Sequence, residues 1–321
     1  MERLGNPAVW QEYEVEVVIG LEAFVEQELR ARFGHNVAIT GRPRPGRVAI
    51  RYRGDPRRLN ELRSAVAVYA VATFDVPRPR ALLGLEHFTH LLQLVRTIFE
   101  RCPRGRFRTL HLSAAGAGSP VFTRLKEELA RQLRLTVAEE AGDLLVAVRR
   151  PPDRATGWQV LVRTSPRPLA ARPWRVCNLP GALNATVAHV MVTLADPAPA
   201  ERFLNLACGS GTLLIERLAL GPARLALGID LSASALDCAR ANLRASSHFA
   251  VVKLLQADAR KLPLADASVE TLVSDLPYGM LVGTRPEIAR LYPAILAEAA
   301  RVARGDAMFV VITAARRLFA E

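Results

Sequence analysis

The C-terminal part of the chain alternates short apolar runs with helical patterns. Phe203-Leu204-Asn205-Leu206-Ala207 leads into the turn Cys208-Gly209-Ser210-Gly211-Thr212. Leu225 to Ile229 ends on Asp230-Leu231, Val251 to Gln256 ends near Asp258-Ala259, and Val269 to Ser274 ends on Asp275. Continuous apolar runs of this length read as strands. Helical patterns follow at Leu213 to Leu218 and at Ala233 to Leu243, with another helix before them at Ala182 to Leu194 and a fifth strand at Met308 to Thr313. Each time a strand stops, a carboxylate or a glycine turn appears. That pattern predicts an α/β fold with an open sheet whose ligand sits at the carboxyl ends of the strands.

The N-terminal part has a different rhythm. Tyr13 to Ile19 alternates charged and apolar residues, as a half-buried strand does. A helix over Leu21 to Phe33 ends at Gly34, and Val37 to Thr40 with Arg47 to Arg53 form a hairpin. A second helix opens at Pro56 and a β-rich run follows at Val66 to Phe74, giving the β-α-β-β-α-β order of a ferredoxin-like unit. After Pro77-Arg78-Pro79 a second α/β unit is expected over residues 80–165. It contains a helix at Leu85 to Phe99, a strand at Phe107 to Leu112, a helix opened by Ser119 as N-cap and Pro120, and strands at Leu144 to Val148 and Trp158 to Val162.

Charge separates the two parts. The net charge is +12; residues 1–200 hold 29 basic against 19 acidic residues, and residues 201–321 hold 14 against 12. The excess makes a polyanion a plausible partner of the N-terminal part. All basic residues except Lys126, Lys253 and Lys261 are Arg, which suits phosphate forks, although a GC-rich genome produces the same bias. Between the parts, Arg163 to Arg175 is proline-punctuated, and Arg163, Arg167, Arg172 and Arg175 accompany Trp174. It reads either as a phosphate-contacting strap or as a solvated connector. Arg124 and Lys126 on the Ser119 helix are further candidates for RNA phosphates.

Half the residues are hydrophobic, which excludes a disordered chain. Cys102, Cys177, Cys208 and Cys238 form no close pair, so neither a zinc site nor a disulfide framework is expected. No signal peptide and no membrane span is visible, which makes the cytoplasm the expected location.

The glycine turn lets backbone approach a ligand closely. Leu214 stands where a dinucleotide fingerprint needs a third glycine, and no lysine follows to make a phosphate loop. Asp230, 21 residues beyond Gly209, suits a carboxylate accepting ribose hydroxyls or, alternatively, a cap for the helix starting at Ala233. Asp258-Ala259 suits an adenine edge, or a capped turn. The most specific feature is Asp275-Leu276-Pro277-Tyr278. Pro277 stiffens the segment, so the Asp275 carboxylate and the Leu276 carbonyl can face one NH2 group, while Tyr278 offers a ring to stack on a base.

These residues carry a resemblance. Asn205 to Thr212 resembles the cofactor motif, and Asp275-Leu276-Pro277-Tyr278 resembles the [Asn/Asp]-Pro-Pro-[Tyr/Phe] motif, of Rossmann-fold amino-methyltransferases that use S-adenosylmethionine. With the segment order, the chain resembles the THUMP-domain tRNA guanine-N2-methyltransferases. The resemblance implies a ferredoxin-like domain at 1–76, a THUMP RNA-binding domain at 77–165, a linker at 166–178 and a methyltransferase domain at 179–321. It implies Asn205, Ala207, Cys208, Gly209, Ser210, Gly211, Thr212, Asp230, Leu231, Asp258, Ala259 and Asp275 as cofactor-binding residues. Asp275, Leu276, Pro277 and Tyr278 are the implied catalytic group. The implied reaction is methylation of a tRNA guanosine at N2 by a monomeric enzyme without a metal. Leu276 in place of the first proline tilts the target toward guanosine 6 of the acceptor stem. Another tRNA or rRNA guanine is the alternative, as is a catalytically weak RNA-binding subunit. Asn205 stands where the family has Asp, and the family's closing β-hairpin has no counterpart after the fifth strand.

Overall fold

A computed structural model describes residues 9–101, 106–152, 154, 156–246, 248–276 and 285–313. The chain divides into two compact units, residues 1–170 and 171–321.

The first unit is built on one sheet. Its strands are β1 (Gln11–Glu16), β2 (Val37–Arg44), β3 (Arg47–Tyr52), β4 (Ala67–Phe74), β5 (Thr109–Ala114), β6 (Thr136–Val137), β7 (Leu144–Arg149) and β8 (Trp158–Arg163). They lie in the order β2-β3-β1-β4-β8-β7-β5-β6, antiparallel except where β5 meets β6 and β7. The two segments read as separate units are therefore joined edge to edge, Tyr69 of β4 pairing with Arg163 of β8. Strand alternation directs Val15, Ile50, Val68, Val146 and Val160 to one face. There they pack on α1 (Glu22–Phe33), α2 (Leu85–Phe99) and α3 (Pro120–Leu133) through Leu29, Leu91 and Leu125. The opposite face holds a small cluster around Tyr69, Val71 and Leu161, bordered by charges that satisfy one another. Arg149 donates from Nη1 to Glu14 at 3.0 Å, and Glu16 accepts from the Tyr69 hydroxyl at 2.9 Å.

Two sequence expectations need correction here. The helix expected from Pro56 is only a 3-10 segment, Pro56–Glu61, which Asp55 caps by accepting from the Arg57 amide. Ser119 has the extended backbone of an N-cap, but its side chain makes no capping bond.

The second unit is a parallel sheet of β9 (Arg202–Leu206), β10 (Leu225–Asp230), β11 (Val252–Gln256), β12 (Val269–Asp275) and β13 (Ala303–Ile312), ordered β11-β10-β9-β12-β13. Both faces are covered, which is why these strands read as continuous apolar runs. Phe203, Ala226 and Val273 pack on α4 (Ala185–Leu194), α5 (Thr212–Leu218) and α6 (Ala233–Ala245). Leu204, Ile229 and Leu272 pack on Tyr292, Ile295 and Ala299 of α7 (Arg285–Val302). The chain order runs outward from β9 to β10 and β11, then returns to β12 on the other side of β9. A crevice forms at such a reversal, outside the carboxyl ends of the strands.

Among the described residues no helix is long and apolar enough to cross a membrane.

Candidate active site

The crevice contains a cavity of about 460 Å³. Its floor is the turn between β9 and α5, where Ala207, Gly209 and Gly211 all have positive φ, at 51°, 51° and 77°. Gly209 is needed for its conformation alone, since a Cβ there meets nothing within 4 Å. Gly211 is needed for conformation and space, because a Cβ would lie 3.2 Å from Ala239 of α6. Ala207 adopts the left-handed region without being glycine, at a cost of about 1–2 kcal/mol. Strain of this kind gathers at binding turns held by their surroundings.

Those surroundings can be named. The Cys208 amide donates to Ile229 O at 2.9 Å and the Gly209 amide to Asp230 Oδ2 at 2.8 Å. Asp230 Oδ1 accepts from the Ser232 amide at 2.9 Å, while Ser232 itself caps α6 by accepting from Ala235 N. Asp230 thus stands at the cavity with each oxygen already holding one backbone amide. Cys208 fills the turn from behind, and burial pushes its thiol pKa up.

Of the residues proposed to hold the cofactor, Ala207, Cys208, Gly209, Ser210, Thr212, Asp230, Leu231, Ala259 and Asp275 line the cavity. Gly211, Asn205 and Asp258 do not. Asn205 is fully buried within the sheet, where its Nδ2 donates to Val273 O at 2.9 Å and to Leu206 O at 3.2 Å, and its Oδ1 has no partner among the described residues. An aspartate there could make neither donation, so the amide ties β9 to β12. The Asp258 carboxylate faces Arg260, which donates from Nη2 at 2.6 Å and holds its pKa below the usual range; Ala257 and Ala259 line the cavity instead.

Asp275 closes β12 at the edge of the cavity with Leu276 beside it. Its carboxylate has no hydrogen-bond partner among the described residues. Burial alone pushes its pKa up to about 6. Pro277 and Tyr278 lie outside the described residues.

The sequence did not single out the opposite wall. Leu179, Pro180, Gly181, Ala182 and Leu183 line the cavity, as do Leu291 and Ile295 of α7. The Pro180-Gly181 pair is a turn signal, but nothing local says that this turn faces the glycine turn. The helix expected from Ala182 starts at Ala185, capped by Asn184, which accepts from the Thr186 amide.

The strap also departs from expectation. Arg163 is buried and donates to the carbonyls of Gly142, Asp143, Ser165 and Pro166. Arg172 is buried and donates to Glu216 of α5 at 2.9 Å. Arg175 is half-buried and donates to Leu183 O at 2.8 Å and to Thr212 Oγ1 at 3.0 Å. Arg163 and Arg172 turn inward because buried carbonyls and a buried carboxylate need donors more than solvent does; they offer nothing to a phosphate. Arg167 and Arg124 are exposed, and Lys126 pairs with Glu139 at 2.9 Å.

The expectation of unpaired cysteines is also overturned. Cys177 and Cys238, 61 residues apart, form a disulfide with their Cα atoms 5.4 Å apart. The fold brings the end of the strap onto α6, a proximity that spacing along the chain cannot reveal. Among the described residues no group of His, Cys, Asp or Glu side chains could hold a metal ion.

Comparison with known proteins agrees with this architecture. Residues 172–321 match the UPF0020 family model, RMKL-like, methyltransferase domain. The tRNA (guanine(6)-N2)-methyltransferase of Methanocaldococcus jannaschii is 26% identical over 188 residues, covering 47% of this chain and 49% of that protein. The U6 snRNA (guanine-N(2))-methyltransferase THUMPD2 of Bos taurus is 34% identical over 130 residues, 40% of this chain and 25% of that protein. The matches span half or less of these relatives. The crystal structure of TrmN from Thermus thermophilus superposes with a TM-score of 0.71 at 24% identity, over 97% of this chain and 91% of that one. That likeness is one of fold.

Proposed function

We propose that the chain methylates the exocyclic N2 amine of a tRNA guanosine with S-adenosylmethionine, guanosine 6 of the acceptor stem being the favoured target. The observation that carries this reading is the half-buried Asp275 carboxylate, without a hydrogen-bond partner among the described residues, at the same cavity as the glycine turn. The lining fits the cofactor: Asp230 stands where ribose hydroxyls would be accepted, Gly209 and Ser210 bring backbone close, and Leu179, Leu183 and Leu231 supply apolar cover for an adenine. S-adenosylmethionine, when bound, supplies an electrophilic methyl group.

The remaining chemistry belongs to the chain. Asp275 and the Leu276 carbonyl accept from the two N–H groups of the base amine and orient its nitrogen. Asp275 also offers a negative charge where the nitrogen becomes positive. Acceleration then comes from positioning and charge placement, without a nucleophilic side chain. Residues 1–76 and 77–165, with the exposed Arg167 of the linker 166–178, are assigned to gripping folded RNA by shape and phosphate contacts. The name of the Methanocaldococcus relative supports a tRNA guanine at position 6. The name of the bovine relative keeps another RNA guanine as the second reading. Monomeric action in the cytoplasm completes the proposal.

The test is methyl transfer to a tRNA transcript followed by mapping of the modified nucleotide. N2-methylguanosine at position 6, absent when guanosine 6 is replaced by adenosine, is the expected result. Label at another guanine moves the target to the second reading, and no label on any RNA overturns the enzyme.

A further inference from the structure

Cys177, at the end of the strap, is bound to α6 by the disulfide to Cys238 and by the side chain of Asn242, one helical turn further on. Asn242 has zero exposure and a complete set of partners. Its Oδ1 accepts from the amides of Val176 and Cys177, both at 2.9 Å. Its Nδ2 donates to Cys177 O and to Ser210 O, both at 3.0 Å. Two backbone amides on one side and two carbonyls on the other leave no freedom in assigning the oxygen and nitrogen of the amide.

The partners belong to two chain segments that both lead to the cavity. Ser210 belongs to the glycine turn and lines the cavity floor. Cys177 is two residues before Leu179, where the opposite wall Leu179–Leu183 begins. The same face of α6 carries Ala239, against which Gly211 packs. Arg175 joins the far end of that wall to Thr212, and the buried amide of Asn242 ties its near end to the glycine turn, touching the cavity only through other residues.

We infer that Asn242 is a positioning residue of the cofactor site, holding the wall segment and the glycine turn in mutual register. The inference rests on the cofactor reading above. It assigns Asn242 to cofactor affinity and leaves the methyl-transfer step to the β12 end. A buried carbonyl that loses its donor is costly, so the wall and the turn rearrange when the amide is removed.

The substitution that isolates this role is Asn242→Asp, which keeps size and acceptors but loses both donations. Hydrogen exchange at the Cys177 amide, in the protein without ligand, reports whether the register has loosened. Calorimetric titration with S-adenosylhomocysteine reports affinity, and kinetics separate KM for S-adenosylmethionine from kcat. The expected result is faster exchange at Cys177, a rise of about tenfold or more in Kd and KM, and kcat at saturation within about threefold of the parent. An unchanged Kd beside loosened exchange overturns the inference, since the role is then only structural. A loss confined to kcat overturns it too. Should Asn242→Asp fail to fold, Asn242→Ser removes the donation to Ser210 without adding charge and is read in the same assays. A parent chain that takes up no S-adenosylhomocysteine overturns the function itself; a binding parent with an equally binding variant overturns only the role of Asn242.

Discussion

The two sheets treat charge in opposite ways. In the N-terminal sheet the helix-free face is polar at alternate positions, and its charges answer one another: Glu14 with Arg149, Glu16 with Tyr69 and Arg47. In the C-terminal sheet both faces are mainly apolar, and the two carboxylates that line the cavity, Asp230 and Asp275, stand where strands stop. Asp230 there is occupied by backbone amides, but Asp275 has no partner among the described residues and is pushed up to about 6 by burial. A half-buried charge without a partner is unfavourable for the fold. Under the proposed function the base amine supplies that partner.

The sharpest test of this contrast removes one carboxylate from each sheet. Asp275→Ala should lower kcat at least about 100-fold, while S-adenosylhomocysteine and RNA binding stay within a few-fold in calorimetric and filter-binding assays. Glu14→Ala should leave the activity of the folded protein unchanged and instead lower stability by about 3 kcal/mol, read by denaturant titration, because it leaves the half-buried Arg149 guanidinium with only the neutral Gln159 side chain. If Asp275→Ala loses stability and keeps its activity, the contrast is wrong.

A second effect follows from proton binding at Asp275. Only the carboxylate form accepts from both N–H groups, so kcat/KM should fall about tenfold per unit below about pH 6. Stability runs the other way. Between the ordinary value of 3.8 and about 6 the folded chain binds more protons at this residue than the unfolded chain does. Asp275 therefore favours the fold on the acid side and opposes it as pH rises toward 6. Asp275→Asn should flatten that part of the stability profile measured by thermal unfolding.

The smallest effect concerns the basic excess. Arg124 and Arg167 are exposed, whereas Arg163 and Arg172 are buried and bonded inward. The double change Arg124→Ala with Arg167→Ala should weaken RNA binding and reduce the slope of log K against log salt by about two. An unchanged slope would remove both residues from the RNA-contacting surface.

Much of this was legible in the chain. β9, β10, β11 and β12 follow the apolar runs to within a residue or two, because strands covered on both faces need unbroken apolar sequence. Gly209 and Gly211 declared a turn whose dihedral angles other residues resist. Asp230 and Asp275 end apolar strands in the sequence, and both line the cavity in the structure. The errors fell on residues whose partners are distant in sequence. The strap arginines looked solvated because nothing nearby in the chain shows that Glu216 and a row of carbonyls await them. The fusion of the two N-terminal units rests on the pairing of β4 with β8, about ninety residues apart.

Periodicity and turn chemistry thus determined the parallel sheet, its glycine turn and the acid at the end of β12, since each depends on residues within one turn or one strand. Only the tertiary structure decided the opposite wall of the cavity, the Cys177–Cys238 disulfide and the position of Asn242 between wall and turn. Those depend on which distant segments pack together, and that is settled by the burial of the whole core rather than by any local pattern.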